Sequence, residues 1–82
     1  MLDDSAHVAT IPKNNREEVR IRLAEFHGRI YADARVFAES NRSPDRVPTG
    51  KGIAIAPDHL TDFITGLENA KAELIRRGIL RG

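Results

Sequence analysis

The stretch Phe26-His27-Gly28-Arg29-Ile30-Tyr31-Ala32-Asp33-Ala34-Arg35-Val36-Phe37 decides how the rest of the chain is read. From Ile30 its even positions, Ile30, Ala32, Ala34 and Val36, are apolar, whereas Arg29, Tyr31, Asp33, Arg35 and Phe37 interleave charges with rings. Successive side chains of a strand point to opposite faces, so the alternation predicts a half-buried antiparallel strand. One face must be covered. The other offers guanidinium groups, which suit phosphates, and flat rings, which suit bases. A solvated outer face with incidental aromatics is the competing reading.

Working outward, Val19, Ile21 and Leu23 alternate with Arg20 and Arg22, which predicts a strand over residues 18–26. Gly28 lets the chain turn tightly, joining the two strands in a hairpin. Upstream, His7-Val8-Ala9-Thr10-Ile11 predicts a short first strand, closed by the turn formers Pro12-Lys13-Asn14-Asn15. Residues 1–6 are acidic and unpatterned and are expected to be disordered. Downstream, residues 39–50 hold two Pro, one Gly and five Ser, Asn, Asp or Thr residues. They read as a long loop, functional or mobile, that carries Arg42 and Arg46 with Lys51 at its exit.

Residues 51–56, Lys51-Gly52-Ile53-Ala54-Ile55-Ala56, read as a last short strand with Ile53 and Ile55 facing inward. Pro57 suits a helix start, Asp58 its positive end, and Gly78 after Arg76-Arg77 its stop, which predicts a helix over residues 57–77. Its apolar stripe is Leu60, Phe63, Ile64, Leu67, Ala70, Leu74 and Ile75, and Gly66 in its middle predicts a close contact or a bend. The expected fold is α+β, with strands followed by one C-terminal helix in a single domain over residues 7–78 and a tail at 79–82. One sheet and one helix make a thin core, and no cysteine is present to staple it. A homodimer is therefore expected, with Leu60, Phe63, Leu67, Ala70 and Leu74 at the contact.

The 82 residues carry a net charge of only +1, but its distribution is uneven. Residues 13–52 hold nine Lys or Arg against six Asp or Glu, so the excess falls on the expected sheet and its loops. No apolar run approaches the roughly 18 residues of a membrane span, and the start of the chain lacks a basic segment followed by an apolar one. The expectation is a soluble intracellular protein, cytoplasmic or, in a prokaryote, nucleoid-associated. His7, His27 and His59 are too scattered for a metal site, and no cofactor-binding motif is present; Gly50-Lys51-Gly52 is too short for a phosphate loop. Without Cys or a recognisable Ser or Thr nucleophile, an enzyme is the poorest reading. Asp33, the one carboxylate in the middle of the charged face, is explained most simply as a cross-strand partner for Arg20, Arg22 or Arg35.

Three pieces in this order, Phe26-His27-Gly28-Arg29, Asp33-Ala34-Arg35-Val36-Phe37 and Gly50-Lys51-Gly52-Ile53-Ala54-Ile55-Ala56-Pro57, resemble the DNA-binding domain of the transcriptional coactivator positive cofactor four. The resemblance spans residues 8–77 and implies a curved four-stranded antiparallel sheet, a C-terminal helix and a homodimer that holds single-stranded or unwound DNA. Carried over by position, Phe26, Arg29, Arg35 and Lys51 are the expected DNA contacts. His27 stands where the family has Lys, and Phe37-Ala38 where it has an aromatic pair, so the stacking surface is reduced. The 82 residues carry no counterpart of the acidic, Ser-rich extension of eukaryotic members, so the expectation is a compact prokaryotic-type or phage-type relative. The expected nucleic-acid face comprises Arg20, Arg22, Phe26, His27, Arg29, Tyr31, Arg35, Phe37, Arg46 and Lys51. The expected partners are single-stranded DNA, with melted duplex or RNA as related ligands, and the transcription machinery. The alternative function is a protein interaction module that uses the sheet face or the 39–50 loop.

Overall fold

Across a two-residue turn, Phe26 pairs with Arg29 while His27 and Gly28 both take positive φ, 51° and 79°. Two left-handed residues in succession give the turn that matches the right-handed twist of a hairpin. The hairpin joins β2 (Glu17–Phe26) to β3 (Arg29–Ser40); β1 (His7–Pro12), β4 (Ser43–Ile55) and helix α1 (Pro57–Arg76) complete the chain. This computed structural model describes residues 6–82, so the expected disorder of the first residues lies, apart from Ala6, outside the described part. The sheet is open, curved and antiparallel, with strand order β1-β2-β3-β4.

Register sorts the side chains into two faces. Ile11 opposes Val19 and Val19 opposes Val36; Ile21, Ala34 and Ile53 form the next row, and Leu23, Ala32 and Ile55 the one after. That is the apolar face. On the other side Glu18 opposes Phe37, Arg20 opposes Arg35, Arg22 opposes Asp33, and Ala24 opposes Tyr31. The core is thin: Val36 and Ile55 are buried on the apolar side, and Ala24, Asp33 and Phe37 on the polar side. Ile53, expected to face inward, lies on the apolar face but is half exposed, as are Ile11, Leu23 and Ile30. The helix approaches β3 yet buries none of its own residues.

The long loop expected over residues 39–50 is instead most of a second hairpin. β3 runs on to Ser40, turns through Asn41 and Arg42, and returns as β4 from Ser43. The turn formers there act locally: the Ser40 hydroxyl accepts the Arg42 N–H and that of Ser43 the Asp45 N–H. Pro44 and Pro48 are tolerated because β4 is an outer strand, where a missing N–H breaks no ladder on its free side. Irregularities in the β3–β4 pairing, between Arg35 and Phe37 and between Ala38 and Ser40, take up the mismatch. Arg46 therefore sits in a strand. The alternative of protein docking through a mobile 39–50 loop loses its loop.

The helix ends at Arg76, with Arg77 as its cap and the expected stop residue Gly78 at φ 74°, after which the N–H groups of Ile79 and Leu80 return to the Leu74 carbonyl. The close contact expected at Gly66 is not found: the helix is continuous through it and a Cβ there would meet open space.

Candidate nucleic-acid interface

The polar face is built around Asp33, whose side chain is 0 % exposed. Alternation along β3 sets it on the same side as Arg35, and the β2–β3 register sets it opposite Arg22. Arg22 donates its Nε–H to Oδ2 at 3.0 Å; Arg35 donates from Nη2 to Oδ1 at 2.7 Å and from Nε to Oδ2 at 3.3 Å. Both carboxylate oxygens are thus occupied by guanidinium donors. Burial alone pushes the Asp33 carboxyl up, but the hydrogen bonds and charges of Arg35 and Arg22 outweigh it and hold the group below the ordinary carboxylate range.

Arg35 is equally committed. Its third contact is from Nη1 to the Gly50 carbonyl at 3.3 Å, and its guanidinium lies across Gly52, where an added Cβ would come within 3.0 Å of Cζ. Gly52, not Lys51, is the residue opposite Arg35, so Lys51 stands one residue off this cluster in register. Its charge reaches Glu17, whose carboxyl is held low chiefly by hydrogen bonds from Asn14 and Lys13.

A second acid, Glu18, organises the neighbouring row. Arg20 Nε lies 2.5 Å from its Oε2 and Arg46 Nη1 2.7 Å from its Oε1, while Arg46 also donates to the Asn15 carbonyl at 3.0 Å and has Glu39 at 3.9 Å. The hydrogen bond from Arg20 is the main reason that the Glu18 carboxyl lies low, with Arg46 adding to it against the cost of burial. Four guanidiniums thus meet three carboxylates, Glu18, Asp33 and, at the outer end, Glu39. A small positive excess is left, to which Arg29 and Lys51 add. Among the described residues, no carboxylate lies within ion-pair distance of either.

The rings divide into two kinds. Phe37 shares the face of Arg20 and Arg22, as the alternation predicts, but is only 7 % exposed, because the Arg20 guanidinium lies 4.3 Å from its ring centre and that of Arg22 5.6 Å. What this position offers at the surface is a guanidinium plane resting on a ring. At the turn end the aromatics are less covered: Phe26 is 38 % exposed and tilts against the half-buried Tyr31 at 5.8 Å, with Arg29 5.9 Å from the Tyr31 ring.

The structure therefore brings together Arg20, Arg22, Tyr31, Arg35, Phe37 and Arg46, with Phe26 and Arg29 at the turn end. Lys51 lies beside this group, and His27 projects from the turn itself. Glu18 as organiser was not expected, although two residues before Arg20 on a strand is a same-face position and signals such a pair. Among the described residues no cluster of His, Cys, Asp or Glu could hold a metal ion, and no helix is long and apolar enough to cross a membrane.

A scan against protein-family models and a search of curated proteins each find no match. Solved structures do match. Two crystal forms of BPSL1147, a PC4 homolog from Burkholderia pseudomallei K96243, superpose with a TM-score of 0.71 each. The tetragonal form is 35 % identical and the match covers 79 % of this chain and 94 % of that one; the orthorhombic form is 33 % identical, with 87 % and 96 % covered. With the strand order, the turn sequence and the C-terminal helix all in place at this level of identity, the chain belongs to the PC4 (positive cofactor four) family, as a compact member of prokaryotic type.

Proposed function

We propose that the protein is a homodimeric, non-enzymatic module that binds single-stranded or locally unwound DNA across the polar face of its sheet, in a coactivator-type role in transcription. The observation that carries this is one continuous surface on which guanidinium groups, a guanidinium-capped ring, the exposed ring of Phe26 and the half-buried ring of Tyr31 lie side by side over β2 and β3. Cations take the phosphates and the rings take splayed bases; a paired duplex hides its base faces, so single strands are preferred and sequence matters little. The dimer is supported by the large hydrophobic side chains left exposed on α1 and on the apolar sheet face.

The test is a titration of labelled single-stranded DNA, duplex DNA and RNA of equal length at several salt concentrations. Single-stranded DNA should bind most tightly. Arg29→Ala and Lys51→Ala should each lower the slope of log affinity against log salt by up to about 0.7, the value for one phosphate on a single strand. Phe26→Ala should weaken binding at every salt concentration by about 1–3 kcal/mol and leave the slope unchanged, because stacking releases no counterions. Equal or tighter binding of the duplex would refute the reading, and so would absence of nucleic-acid binding, which would favour a protein partner for the same face.

A further inference from the structure

Asp33 is an unexpected residue at the centre of a face meant for an anion. Its charge opposes phosphate binding, and a surface working through net charge alone would be better without it. Yet it is the most deeply enclosed side chain among the described residues, and it touches the two central arginines at once.

The donors it takes are informative. Arg22 spends only its Nε–H on Asp33, so both of its terminal nitrogens are left without a hydrogen-bond partner among the described residues. Arg35 spends one donor from each of its three nitrogens, on Asp33 and on the Gly50 carbonyl, and each terminal nitrogen keeps a second N–H. The carboxylate thus grips the inner edges of two neighbouring guanidiniums and leaves outer N–H groups uncommitted. Arginine has many rotamers and loses considerable freedom when it is immobilised on a ligand; here much of that freedom is already gone in the free protein. The guanidinium of Arg22 also rests near the Phe37 ring, which restricts it from a second side.

We propose that Asp33 is a positioning residue for nucleic-acid binding, holding Arg22 and Arg35 as a preset pair whose free N–H edges receive the phosphodiester backbone. This deepens the proposed function and rests on it. The preset pair contributes through geometry what Asp33 subtracts in charge. A purely electrostatic face makes the opposite prediction for the same variant.

The decisive variant is Asp33→Asn, nearly the same shape with one negative charge removed. Affinity for an oligodeoxythymidylate of about 16 nucleotides, within the range of single-strand site sizes, is measured over a series of salt concentrations by fluorescence anisotropy. Positioning predicts binding weaker by about tenfold, the size expected when two long side chains must again be ordered on binding, despite the gain in positive charge. Equal or tighter binding by the folded variant would overturn the proposal, because added charge would then outweigh lost geometry. Arg22→Lys gives an independent answer if Asp33→Asn fails to fold, since Arg22 is partly exposed and Lys keeps the charge while losing the fork. It should bind several-fold more weakly with an unchanged salt slope; wild-type affinity would show that a point charge suffices and would overturn the proposal. If the wild-type protein does not bind the oligonucleotide, the proposed function itself fails and the Asp33 proposal with it. Binding by the wild type with no loss in either variant removes the positioning role alone.

Discussion

Gly52 marks the closest approach between β3 and β4. A Cβ there would stand 2.4 Å from the Ala34 carbonyl oxygen and 2.9 Å from the Arg35 Cα, and both are backbone atoms that cannot swing aside. Gly52→Ala should destabilise the fold by about 1–3 kcal/mol, read from urea denaturation, and should also shift the Arg35 guanidinium that lies over this position. Asp33 supplies a dependence on pH whose sign follows from its low folded-state value. The carboxyl sits below its ordinary 3.8, so its contribution is fully present above the unfolded value and is lost as pH falls through the lower folded one. The wild type should lose stability below about pH 4, while Asp33→Asn should start less stable near neutrality and lose less on acidification, checked by denaturation midpoints across that range. The carboxyls of Glu17, Glu18 and Glu73 are also held low and act in the same direction. At this scale the alternation of β3 correctly assigns Asp33, Arg35 and Phe37 to one face and marks Asp33 as an arginine partner. It does not reveal that Phe37 is roofed by Arg20, because depth within a face depends on how long side chains fold over shorter ones.

Among the elements, β2, the His27-Gly28 turn and α1 are legible because each carries its own local signal: period two, a glycine in a tight turn, and Pro and Gly brackets around a helical stripe. The β3–β4 hairpin is not. Pro44, Pro48 and the Ser residues read as a loop when counted by composition, whereas an outer strand with register shifts accommodates all of them. That position depends on which strand ends up at the margin, a property of the sheet and not of the segment. The helix offers a direct test of its surroundings. With open space around Gly66, Gly66→Ala should raise the thermal midpoint by the equivalent of about 1 kcal/mol; a fall instead would place a second backbone against this turn.

For the molecule as a whole, the single chain leaves Phe63, Ile64, Leu67, Leu74 and Ile75 of α1 exposed together with Ile11, Leu23, Ile30 and Ile53 of the apolar sheet face. Leu67, 57 % exposed in the single chain, is the sharpest probe of the proposed dimer. In an isolated chain Leu67→Asp would be nearly neutral; in the dimer it should separate the subunits and lower stability in a concentration-dependent manner. Light scattering should give twice the 9.1 kDa chain mass for the wild type, and a monomer at micromolar concentration would count against the dimer. The shortage of core is legible in the sequence and is what motivates the proposed dimer, while nothing local in the helix stripe specifies how two copies would cross. The prolines of the outer strands bear on how such copies can meet. Pro12 lies on β1 and Pro44 and Pro48 on β4, the two outer strands, and prolines there make each margin a poorer template for a further strand. Lateral stacking is thereby disfavoured at both margins, which leaves the faces as the place for the proposed two-fold contact, an arrangement that closes on itself. In a chain that exposes this much apolar surface, such margins work against strand-by-strand fibril growth.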